Sequence, residues 1–120
     1  MTSNYTRGLA AERRAAWWLR LKGYRVLGQR VRLAGGEIDV LALRGRLLVV
    51  VEVKARATLA ACEDSVPPWK QQRIARAAEA IMAGHGKIAG LARANIDRIR
   101  FDVVWVAPKH WPRHIKDAWR

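Results

Sequence analysis

The sequence predicts a single α/β domain in which helices flank a central mixed sheet, in the order helix, three strands, helix, strand. Three observations lead there. Two segments rich in Ala and Arg carry apolar residues at helical spacing. Between and after them lie short runs of Val, Leu and Ile separated by Gly-containing turns. Finally, 120 residues that are 51% hydrophobic suffice for one compact core, and no repeat or low-complexity tract divides them. One domain over residues 1–120 is expected, with a C-terminal tail from about residue 108.

Each element has a local reason. Tyr5 to Lys22 contains no proline, is rich in Ala, Leu and Arg, and meets a stop at Gly23. "YRVLGQRVRL" follows as a strand, Gly35-Gly36 as a turn, and Glu37 to Leu43 as a second strand. Arg44-Gly45-Arg46 is a hairpin turn that leads into a third strand, Leu47 to Lys54. "RATLAACEDSVPP" lacks a period and reads as a loop. Pro68 then opens a second helix that runs to about Ala83, with Ile74, Ala77, Ala78 and Ile81 as its apolar stripe and Gly84-His85-Gly86 as its stop. "RFDVVWVA", from Arg100 to Ala107, is a further strand, and the tail is expected to add a short helix after Pro112.

Lys and Arg number 23 against 10 Asp and Glu, a net charge of +13. The partner expected is a polyanion, and nucleic acid fits best, because arginine dominates and guanidinium forks match phosphate oxygens. Membrane is not expected as a partner: no helix combines a basic face with a bulky apolar one, and no apolar run spans a bilayer. The N-terminus lacks a signal-peptide core, so the expected location is cytoplasmic. The single Cys62 fits a reducing compartment and reads as a small, partly buried side chain.

The acids are few, which makes their placement informative. Residues 1–52 hold four, Glu12, Glu37, Asp39 and Glu52, against ten Lys and Arg. Glu37 and Asp39 share one face of the second strand, Glu52 and Lys54 one face of the third, and the hairpin sets Asp39 across from Glu52. Two such carboxylates repel each other and lose solvation on burial. Either they sit at a solvated strand end with neighbouring arginines, or a divalent cation and Lys54 offset the charge. Glu12 favours convergence: it lies mid-stripe on the core-facing side of the first helix, with no ion-pair partner one turn away. A carboxylate pair, a third acid and a lysine suit metal-dependent phosphodiester hydrolysis with Mg²⁺ or Mn²⁺. Lys70 and Arg73, inward on the second helix, are candidates for phosphate contacts; otherwise they are solvated basic residues of a first turn.

Asp39 followed by Glu52-Val53-Lys54 resembles the D…(D/E)-x-K signature of the PD-(D/E)XK nuclease superfamily, with Ile38 in place of the proline. The blocks "RGLAAERRAAWWLRLKGYRVL", "GGEIDVLAL", "VVVEVKAR", "WKQQRIARAA", "RFDVVWV" and "HIKDAWR" are similar to those of the YraN family of small bacterial endonuclease-like proteins, over nearly the whole chain. The resemblance implies a restriction-endonuclease-like αβββαβ core related to Holliday-junction resolvases. It implies that Asp39, Glu52 and the carbonyl of Val53 bind the metal, that Glu12 completes the site, and that Lys54 assists catalysis. A homodimer is also implied, since resolvase-like enzymes cut as dimers.

The leading expectation is therefore a Mg²⁺- or Mn²⁺-dependent endonuclease acting on DNA, with Arg56, Lys70 and Arg73 bordering the cleft. The alternative is a non-catalytic nucleic-acid-binding module that keeps the fold. Zinc is not expected at His110 and His114, because Pro112 interrupts their spacing and no third ligand is near. Trp17, Trp18 and Trp105 are expected in or around the core; Trp69, Trp111 and Trp119 are better placed for a partner surface.

Overall fold

Helix α1 (Asn4–Leu21) and helix α2 (Pro68–Met82) cover opposite faces of one five-stranded sheet in the computed structural model of the protein. The strands are β1 (Arg25–Leu33), β2 (Gly36–Arg44), β3 (Leu47–Ala55), β4 (Arg98–Val106) and β5 (Arg113–Trp119), in the spatial order β1-β2-β3-β4-β5. The structure describes residues 4–33, 35–58, 66–84, 88, 90–91 and 94–119, with side chains from residue 8 onward. Cys62, most of the segment expected as a loop, and His85-Gly86 lie outside them.

The sheet is mixed for a connectivity reason. β1, β2 and β3 are joined by short turns and pair antiparallel, whereas the α2 crossover makes β4 parallel to β3. Alternation along β3 divides the core: Val49 and Val51 pack under α1 with Ala11, Ala15, Ala16 and Leu19, and Leu48 and Val50 pack under α2 with Ile74, Ala77 and Ile81. The αβββαβ order and the helix-flanked mixed sheet are those expected, with boundaries shifted by one or two residues.

α1 ends where glycine allows it to end. Gly23 takes φ 93°, so that Tyr24 N–H reaches Leu19 O at 3.0 Å and Gly23 N–H reaches Arg20 O at 3.1 Å, satisfying the last-turn carbonyls. α2 begins on the expected proline, with Pro68 in its first turn.

The tail departs from expectation. Residues 113–119 form a strand antiparallel to β4, not a helix, with Val103 opposite Ile115 and Trp105 opposite Arg113. Pro112 resembled a helix start, but β4 would otherwise present an unpaired edge. The side chains decide the outcome. Asp102 is fully buried and receives His114 Nε2 at 2.7 Å, two Arg100 bonds at 2.7 and 2.8 Å, and the Asp117 backbone N–H at 2.9 Å. Lys22 Nζ lies 2.6 Å from His114 Nδ1. An ammonium only donates, so Nδ1 accepts and Nε2 carries the proton to Asp102. Trp119 stacks on Phe101 with centroids 5.3 Å apart and thus packs on the sheet instead of facing a partner.

Candidate active site at the fork of β2 and β3

The β2–β3 ladder supplies the site. Its last paired residues are Val40 and Val51; one step beyond stand Asp39 and Glu52. There a side chain takes over from the backbone: Asp39 Oδ2 accepts the Val53 N–H at 2.8 Å. This end of β3 is bordered by α2, whose Lys70 forms an ion pair with Glu52. α2 comes so close to the start of β2 that a Cβ on Gly36 would lie 2.5 Å from the carbonyl oxygen of Arg73, so only glycine fits there.

Burial makes the acid pair costly. Glu52 is 4% exposed, and its Oε2 is buried and accepts no hydrogen bond from the described residues. Asp39 is pushed up to about 7, first by burial and then by the Glu52 charge, although the Val53 N–H and Lys70 act against it. Near neutral pH the Asp39 carboxyl is therefore close to half-protonated.

Glu12 is also buried, at 4%, but its partner comes from β1. Arg30 Nε donates to Oε1 at 2.6 Å and Oε2 at 3.0 Å. Burial, then the Asp39 charge, raises the Glu12 pKa, and Arg30 opposes both. Glu12 is thus near enough to feel Asp39 while its own oxygens are held by a guanidinium. Arg30 has φ 49° in mid-strand, a conformation few side chains adopt. No local signal marked it as the partner of Glu12, because the pairing crosses from a strand to a helix.

The remaining expected residues divide. Lys54 is buried and, by strand alternation, on the same side of β3 as Glu52. Arg56 is exposed just past β3, and its N–H is bonded to Val106 O at 3.1 Å. Arg73 is exposed and reaches Gly35 O at 3.3 Å, at the turn before β2. Glu37 does not join the others: it pairs with Arg32 across β1 and β2 at 3.0 Å, half-exposed. Among the described residues, no three His, Cys, Asp or Glu side chains are gathered as a metal cluster. In the sequence Asp102 is simply one acid in an apolar strand, and nothing local marks the knot it gathers.

Residues 11–106, from α1 to the last residue of β4, match the model of the uncharacterised protein family UPF0102. A UPF0102 protein of Parvibaculum lavamentivorans is 46% identical over 116 residues, covering 97% of this chain and 83% of that protein. One of Methylorubrum extorquens is 47% identical over 116 residues, with 97% and 86% covered. The chain belongs to the UPF0102 family. These are the YraN-like proteins whose sequence blocks it resembles. A UPF0102 protein of Sphingopyxis alaskensis, 42% identical over 114 residues, covers 95% of this chain and is itself covered to 92%. Similarity to UPF0102 relatives thus spans both the fork and the helix that carries Glu12. No helix among the described residues is long and apolar enough to cross a membrane.

Proposed function

We propose that this UPF0102 protein is a divalent-metal-dependent endonuclease of the PD-(D/E)XK type that hydrolyses phosphodiester bonds in DNA. One observation carries the reading: a carboxyl pair, half-buried Asp39 and buried Glu52, at the point where two strands part, with Glu52 Oε2 accepting no hydrogen bond from the described residues and Asp39 raised to about 7. A purely structural pair of this kind is a net cost to the fold. The donor set suits Mg²⁺ or Mn²⁺, which are commonly held by one or two carboxylates with water and phosphate oxygens filling the remaining positions. Asp39 and Glu52 would hold the ion. The Val53 carbonyl would join them, because the N–H and C=O of one strand residue point to the same edge and its N–H meets Asp39.

When bound, the ion supplies Lewis acidity and a more acidic water. The chain does the rest. Lys54, two residues from Glu52, brings an ammonium to stabilise charge developing on the phosphate. Arg56 and Arg73 flank the fork and bind neighbouring phosphates, and Lys70 balances the acid pair before a phosphate competes for it. Glu12, reached by the field of Asp39, adds to the negative potential that attracts the ion.

One observation favours the second reading, a non-catalytic nucleic-acid-binding module: Glu12 and Glu52 already have basic partners, Arg30 and Lys70. The deciding experiment incubates the protein with a panel of linear, branched and single-stranded DNA and RNA in Mg²⁺, Mn²⁺ or EDTA. The nuclease reading expects metal-dependent cleavage that Asp39→Asn and Lys54→Ala both abolish, with Mn²⁺ binding lost only in Asp39→Asn. No cleavage, and no Mn²⁺ site in calorimetry, would leave the binding module.

A further inference from the structure

Outside the fork, Trp17, Trp18 and Trp111 together make an exposed aromatic surface among the described residues. Trp17 is 44% and Trp111 70% exposed, and their rings stack with centroids 6.3 Å apart and an interplanar angle of 14°. Trp18 backs Trp111 at 5.7 Å and Trp17 at 6.2 Å. Leaving so much indole in water is unfavourable unless something covers it.

The patch is held in place. Arg14 of α1 donates to Ala107 O at 3.0 Å and to His110 O, clamping the loop that carries Trp111 onto the helix that carries Trp17. Because β3 and β4 are parallel, with Ala55 beside Val106, this loop leaves the sheet at the strand end where Lys54 and Arg56 lie. The loop and the carboxyl pair thus lie towards the same strand ends, the tryptophans on the α1 face of the sheet and Glu52, with Lys70, on the α2 face.

Charge identifies the occupant. Around Trp17 on α1, one turn away, stand Arg13, Arg14 and Arg20, and beside Trp111 in the chain stand Lys109, His110 and Arg113. Residues 107–114 contain no acid, and the one acid of α1, Glu12, is turned inward onto Arg30. A second copy of a chain with net charge +13 would bring cations against cations, whereas a nucleic-acid strand brings phosphates to the arginines and base faces to the indoles.

We infer that Trp17 and Trp111 form a stacking platform for unpaired nucleobases, so that the substrate is DNA with a single-stranded segment. The inference rests on the nucleic-acid reading above and names its substrate class. Duplex bases are already stacked on one another and offer no free face; unpaired bases do. Trp18, less exposed, stiffens the platform.

The test is equilibrium binding by the full chain in EDTA, so that neither metal nor cleavage enters. Fluorescence anisotropy compares a labelled oligothymidylate with a random-sequence duplex of equal length. Trp111→Ala and Trp17→Ala are expected to weaken oligothymidylate binding about tenfold each, while duplex affinity stays within about twofold. Trp111→Phe keeps a stacking ring and should retain most of the affinity; Trp111→Leu keeps only apolar bulk and should behave like Trp111→Ala, and it replaces that variant should the alanine form fail to fold. Equal losses on both DNAs, or no loss on oligothymidylate, would overturn the platform. So would a dimer that Trp111→Ala dissociates with single-strand affinity intact, since the patch would then be a self-association surface. A platform that passes while no nucleic acid is ever cut refutes the nuclease alone, and cleavage without a tryptophan-dependent preference refutes the platform alone.

Discussion

At Asp39 one carboxyl group couples folding to pH and, on the proposed nuclease reading, to cation binding. Its folded pKa of about 7 lies above the ordinary value of 3.8, so between these limits the folded state holds more protons than the unfolded one. Stability is therefore greatest below about pH 4 as far as this group is concerned, and it falls as pH rises towards 7. Asp39→Asn, which keeps an oxygen for the Val53 N–H, should flatten that slope and raise stability at pH 8 by on the order of 3 kcal/mol, measured by urea unfolding. The proposed cation binding would have the opposite dependence. Because the proton must leave first, Mn²⁺ affinity of the parent should climb with pH up to about 7 and then level off, which calorimetry at several pH values would show. Arg30 makes a separate prediction: Arg30→Ala strands the buried Glu12 carboxylate and should cost about 3 kcal/mol of stability at neutral pH, read from the urea midpoint.

At the scale of elements, two contacts decide where strands and helices stop. The α2–β2 approach at Gly36 leaves no room for a side chain, so Gly36→Ala should push α2 outward and separate Lys70 from Glu52. A lower melting temperature is the expected result, with Mn²⁺ bound no more weakly, because the ammonium that competes for Glu52 has moved away. β5 depends on Asp102. Burial alone would raise its pKa, but His114, Arg100 and the Asp117 N–H together lower it to about 2, against an ordinary value of 3.8. The unfolded state then binds more protons between these values, so the stabilisation is present above about pH 4 and lost as pH falls through about 2. Asp102→Asn removes the charge that gathers Arg100 and His114. At pH 7 it should lower unfolding free energy by about 3–5 kcal/mol, a penalty that shrinks towards pH 2 in acid-unfolding curves.

Across the whole molecule, the dominant property is charge. With +13 on 120 residues, DNA affinity should fall steeply with salt, because each neutralised phosphate releases condensed counterions. Lys70 is engaged with Glu52, so Arg56 and Arg73 are the cleaner probes. Replacing both by alanine should reduce the log–log salt slope by about 2 without changing the single-strand preference. An unchanged slope would move the phosphate path to another face.

The order of elements as far as β4, the turn glycines, the opposition of Asp39 to Glu52 and the inward position of Glu12 were determined by the sequence itself. All of them follow from period-2 and period-3.6 patterning within a few residues of chain, and a hairpin converts that spacing directly into distance. What tertiary structure decided were the partners of long reach. Arg30 closes on Glu12, Lys70 crosses from α2 to Glu52, and Glu37 goes to Arg32 at the surface, because an ion pair depends on which elements are packed together and in what register. The tail shows the same limit most plainly. "HIKDAWR" after a proline has no strong periodicity of its own, and it became a strand because β4 offered an open edge and a buried aspartate that only His114 and its neighbours could satisfy.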